Sequence, residues 1–150
     1  MKLLRLFIIL LAGACYAADA PTTAPKTVIE AGLKALMSRE KNKDAFVIFT
    51  DSQSKAYVQF TYENKELWID IPLIEKSKKE TDGIKKVFSS IGITNPEITT
   101  ARDPETKKPF ILRSYQASFG NNEAKAAEFS MRLFKEAFNI NSLFLTVETE

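Results

Sequence analysis

Apolar and polar residues change their spacing repeatedly along this chain, and each change marks a new element. Ile29, Leu33, Leu36 and Met37 recur at helical spacing and make one apolar face. A helix is therefore expected from Thr27, where Thr27-Val28-Ile29-Glu30 has the form of a capping box. The polar stretch Ser38 to Asp44 ends it. Ala45 to Thr50 is nearly continuous apolar, as in a central strand buried on both faces. Asp51 to Lys55 supplies turn chemistry. In the next run Ala56, Val58, Phe60 and Tyr62 share one face, while Tyr57, Gln59 and Thr61 share the other. After the turn Glu63-Asn64-Lys65, residues Leu67, Ile69 and Ile71 alternate with Trp68 and Asp70. These three runs predict an antiparallel meander.

Pro72 closes the third strand, and Leu73 to Ile91 reads as a second helix. Ile84, Val87, Phe88 and Ile91 give its second half a clear apolar stripe, and Thr81-Asp82-Gly83 allow a later start. Gly92 is a helix stop, and Asn95-Pro96 prevents re-entry. A hairpin follows, Glu97 to Ala101 with Phe110 to Phe119, although Arg113 falls on the same face as Ile111, Tyr115 and Phe119. Gly120-Asn121-Asn122 caps a third helix, Glu123 to Phe138, with Ala127, Met131, Phe134 and Phe138 as its stripe. Leu143, Leu145 and Val147 then alternate with Phe144, Thr146 and Glu148 in a last strand. The order is α, three β, α, two β, α, β. With hairpin-connected strands in one sheet and three helices packed on it, the class is α+β.

The N-terminus has a different pattern. Met1 to Arg5 carries two positive charges, Leu6 to Ala12 is an apolar run, and the small residues Gly13 to Ala18 follow. That order predicts a signal peptide over residues 1–17, a flexible lead-in over 18–26, and a single domain over 27–150. The apolar run falls well short of the roughly 20 residues a membrane span needs. Cleavage after Ala17 fits ordinary export to the periplasm or exterior. A lipid anchor on Cys15 is the alternative, with the branched apolar residue displaced by one position to Leu11. Membrane association is expected only in that lipid-anchored form.

Composition then narrows the chemistry. The chain has no histidine, and its single cysteine lies in the signal. The domain therefore has neither an imidazole base nor a thiolate nucleophile. Zinc, copper or haem sites built from His and Cys are likewise excluded. Glycines are few and form no phosphate loop. The formal charge is +2, but Lys2 and Arg5 belong to the signal. Without them the balance is close to zero, which gives no footprint for a nucleic-acid backbone. Neither cofactor nor metal is expected. Glu66 and Asp70 share a strand face and are the best carboxylate pair, although a solvated face explains them more simply. Asp51-Ser52-Gln53-Ser54 is oxygen-rich but lacks the spacing of a calcium loop. The run Glu75 to Glu80 reads as a solvated helix face.

Phe46-Val47-Ile48-Phe49, Tyr57-Val58-Gln59-Phe60 and Leu67 to Pro72 resemble the opening of type III secretion chaperone-like domains, small modules related to secretion chaperones and sensory-regulator homologues. Ile91-Gly92-Ile93 is similar to the end of that family's next helix. Ala124 to Phe138 is similar to its alanine-rich closing helix, and Leu143 to Val147 to its short tail. The likeness spans Thr27 to Glu148. It implies a homodimer or adaptor that holds another polypeptide against its sheet and helices. Secretion chaperones work in the cytoplasm, however, so the export signal separates the implied fold from a secretion role.

Tyr57, Gln59, Thr61 and Trp68 form the candidate partner-binding patch. One face of the meander must cover the core, and the other then presents an aromatic pair among polar groups. Burial of Trp68 under a helix or in the core is the competing expectation. The resulting expectation is a non-enzymatic, exported, protein-binding module of chaperone or adaptor type. The alternative is a small-molecule or lipid carrier, with a pocket between the third helix and the sheet lined by Phe119, Met131, Phe134 and Phe138. A carboxylate-dependent hydrolase ranks last.

Overall fold

A proline opens the first described helix. Pro25 takes the opening turn of helix α1 (Pro25–Met37), and Ala24 before it makes no side-chain cap. Proline suits that turn because its missing N–H has no intrahelical acceptor there. The expected capping box is thus overturned: Thr27 lies inside the helix and its amide donates to the Ala24 carbonyl. The computed structural model describes residues 24–39, 45–103 and 105–150. The residues expected to form a signal peptide, with Cys15, and most of the expected lead-in lie outside the described residues.

The remaining elements are β1 (Phe46–Asp51), β2 (Tyr57–Glu63), β3 (Glu66–Pro72), α2 (Lys78–Ser89), β4 (Glu97–Arg102), β5 (Pro109–Ser118), α3 (Glu123–Arg132) and β6 (Leu145–Thr149). The expected α+β class and its order αβββαββαβ are what the chain adopts. All six strands form one antiparallel sheet, in spatial order β4-β5-β3-β2-β1-β6. The meander supplies its middle, and β6 returns to pair with β1. The helices pack on one face of this sheet. There Val47, Phe49, Val58, Phe60, Leu67, Ile69, Ile71, Tyr115 and Ala117 join Ile29, Leu33, Ile84, Val87, Phe88 and Phe129 in the core. Each of the larger aliphatic and aromatic side chains among them contributes about 2 kcal/mol by leaving water. Phe88, Tyr115, Phe129, Phe119 and Phe60 form a continuous series of ring contacts through that core.

Helix α2 starts later than Leu73 and earlier than Thr81. Glu75 is left-handed at φ 58° and breaks the chain before the helix. Ser77 and Glu80 then form a genuine capping box: Ser77 Oγ accepts from the Glu80 amide, and the Glu80 carboxylate accepts from the Ser77 amide. At the other end Gly92, at φ +86°, permits the Ile93 amide to reach back to the Phe88 carbonyl.

The third helix starts as expected, with Asn122 Oδ1 accepting from the Lys125 amide. It does not run regularly to Phe138. Leu133–Ala137 is a π-helical turn, which shifts the apolar stripe. Phe129 and Leu133 are fully packed, whereas Met131 and Phe138 are only partly buried. At the crossing with α2, a Cβ on Gly83 would stand 2.7 Å from the Ala137 Cα, so the two helices meet backbone to backbone.

The poor alternation of β5 also has a cause. Tyr115 and Ala117 face the helices, but Ile111 and Arg113 on the same face lie where helix cover has ended. Ile98 and Ile111 are 66% and 67% exposed. A shallow hollow of about 370 Å³ lies beside them, lined by Leu73, Ile74, Thr81, Ile111 and Arg113.

Candidate interaction face

The strand register builds the candidate site, because it fixes which side chains stand on the sheet face turned away from the core. One row across the sheet is Phe46, Thr61, Trp68 and Ser118. The next is Glu148, Ile48, Gln59, Asp70 and Gln116. Tyr57 stands opposite Thr50 at the following level, and Ser114 lies between Pro72 and Glu97. None of these residues belongs to the core cluster under the helices. The structure thus brings Tyr57, Gln59, Thr61 and Trp68 together on one face. Gln59 is buried at 7% exposure, and Tyr57, Thr61 and Trp68 are half-buried. Ile48, Leu112 and Ser114 make an equally buried floor around them.

Asp70 is the chemically distinctive residue of this face. Burial raises its carboxyl above the ordinary aspartate range, opposed by hydrogen bonds from Ser114 and Gln116, with Glu97 pushing it further up. Gln116 Nε2 donates to Asp70 Oδ1 at 3.4 Å and also reaches Ser114 Oγ. Tyr57 is raised as well, first by burial and then by the charges of Asp70 and Glu75. Glu66 and Asp70 are four residues apart on one strand, which separates them by about 13 Å. That is too far for the pair to act as acid and base on one bond. Glu66 instead accepts from Ser118 Oγ at 3.0 Å.

Lys76 corrects the expectation of a solvated helix face over Glu75 to Glu80. It precedes α2 and lies half-buried with its Nζ 4.7 Å from the centroid of the Tyr57 ring and 5.4 Å from that of Phe138. Burial pulls its pKa down, against the pull of Glu80 and Glu75. The chain thus sets an ammonium against Tyr57 by cation–π attraction.

Three of the residues expected to line a carrier pocket have ring partners. Phe119 packs on Phe60 and Phe129, and Phe134 on Phe138. The Asp51 turn is likewise structural. Asp51 is buried, and its carboxylate accepts from the amides of Ser54 at 2.8 Å and Phe144 at 3.1 Å. Burial pushes this carboxyl up, but the hydrogen bonds from Ser54, Phe144 and Gln53 outweigh that and hold it below its usual value. Among the described residues no three His, Cys, Asp or Glu side chains converge to hold a metal ion.

Ser114, Gln116 and Lys76 were not foreseen as members of this neighbourhood. Gln116 and Ser114 arrive through the pairing of β3 with β5, which are separated by a helix and another strand. Period-two alternation alone places Asp70 beside Trp68 on this face, and that was the available signal. No family model, no curated protein and no solved structure matches this chain.

Proposed function

We propose that this chain is an exported, non-enzymatic protein-binding module of chaperone or adaptor type, and that the sheet face around Trp68 is where it holds its partner. The observation that carries the reading is the placement of Tyr57, Gln59, Thr61 and Trp68 on one face, with all the described helices packed on the other. Aromatic rings set among hydrogen-bonding groups are the usual centre of an interaction surface. A sheet face of this kind suits an extended segment better than a small solute. The element order agrees with the one that the chaperone-like resemblance implies. Export rests on the charged, apolar and small-residue order of residues 1–17.

Trp68→Ala tests the reading. Binding of an unfolded, permanently reduced polypeptide to the full chain is measured by light scattering and calorimetry, with far-UV circular dichroism as the control. Loss of binding with an unchanged spectrum is the expected result. Undiminished binding, or collapse of the fold, would remove Trp68 from any interaction surface. A dimer that dissociates on the same substitution would identify the partner as a second copy.

A further inference from the structure

The strand residues of this sheet face carry charge of one sign, and Lys76, packed on Tyr57 from the segment before α2, is a cation at its margin. The register turns Glu63, Glu66, Asp70, Glu97 and Glu148 toward it, and no lysine or arginine among the strand residues faces that way. The strand arginines, Arg102 and Arg113, stand on the opposite face, as the pairs Arg102–Pro109 and Ile98–Arg113 require. This is segregation rather than overall acidity, because the whole chain has 21 basic residues against 19 acidic ones. Four lysines, Lys78, Lys79, Lys85 and Lys86, are exposed on α2 instead.

We propose that the occupant of this face is a lysine- or arginine-rich extended segment of a partner polypeptide. The proposal rests on the reading of the face as a polypeptide-binding surface, and it adds the partner's chemistry. Three observations converge on it. The carboxylates surround the aromatic rings Phe46, Tyr57 and Trp68, which share the face. Rings take cations on their π surface, and Lys76 against Tyr57 shows the chain using this contact internally. Asp70, half-buried among Gln59, Ser114 and Gln116, has no basic residue among its cross-strand neighbours, so a cation arriving from outside would stabilise its ionised form. Potentials of one sign steer a partner of the opposite sign and disfavour others. A glutamate-rich segment would meet repulsion from Glu66, Asp70, Glu97 and Glu148.

Trp68 is the only tryptophan, so its emission reports directly on this face. The full chain is titrated with three peptides of equal length and equal apolar content, one lysine-rich, one uncharged and one glutamate-rich. The lysine-rich peptide is expected to shift Trp68 emission saturably, and to weaken steeply as salt rises. Glu66→Gln, Glu97→Gln and Glu148→Gln together should weaken it about tenfold with the fold unchanged. Equal binding of the uncharged peptide, or indifference to the three substitutions, would overturn the cationic chemistry and leave the polypeptide-binding reading standing. Silence from all three peptides would overturn both. Binding of the lysine-rich peptide without any change at Trp68 would place its site elsewhere and also overturn the inference.

Discussion

Two aspartates in this sheet respond to pH in opposite directions. Asp51 has its carboxyl lowered by amide donors despite its burial. Its contribution is complete above the unfolded carboxylate value, roughly 3.9, and is lost as pH falls through the lower folded value. Asp51→Asn should therefore destabilise the protein at neutral pH, by about 2 kcal/mol if both amide bonds weaken, and the deficit should shrink in acid. Asp70 is raised, first by burial. Its effect favours the fold below the unfolded value and is lost as pH rises through the higher folded value. Asp70→Asn should raise the neutral-pH melting temperature and lose that advantage in acid, which paired thermal melts across pH would show. Both side chains were visible in the sequence, but their environments were not. Asp51 depends on Phe144 far along the chain, and Asp70 on a strand that arrives through a helical connection.

At the scale of elements, alternation was the dependable signal and helix ends were not. The second and third strands of the meander and the last strand follow from period-two patterns, because a sheet with one face on a core imposes that period directly. Two Ser/Thr-x-x-Glu sequences lie near helix starts, of which only the first is read as a capping box from sequence. Thr27 to Glu30 was overridden by Pro25, whereas Ser77 to Glu80 closes a real box. Ser77→Ala should cost about 1 kcal/mol of stability in denaturant melts, and Thr27→Ala much less. The π-helical turn was illegible because a sequence read at a fixed helical period cannot register one extra residue in a turn. Its consequence is the close crossing at Gly83. Gly83→Val should destabilise by about 3 kcal/mol, since the new side chain meets the Ala137 backbone rather than a movable side chain. Equal midpoints for Gly83→Val and the parent would mean that the helices separate freely.

For the whole molecule, the sequence conveyed the layer architecture but not the order of strands. The position of β5 beside β3, and of β6 beside β1, depends on long connections that leave no local mark. Yet those two pairings assemble the candidate face and set its charge. They also leave β4 as an edge strand, with Ile98 exposed on it and Ile111 exposed on its neighbour β5. Such an edge is a template for unwanted pairing between copies. Ile98→Lys should reduce self-association at high concentration, followed by light scattering, while changing stability by no more than about 0.5 kcal/mol.

The pairing of β6 with β1 also has a temporal side. Phe46 to Asp51, among the most apolar stretches of the domain, must wait for a neighbour made about a hundred residues later. At a synthesis rate of about 5–20 residues per second, that interval is some 5–20 s. Throughout it, one side of β1 is an unsatisfied hydrogen-bonding edge. A cell making this protein must keep its nascent chains apart for that time, and slower translation of the last segment would lengthen the hazard without changing the finished molecule.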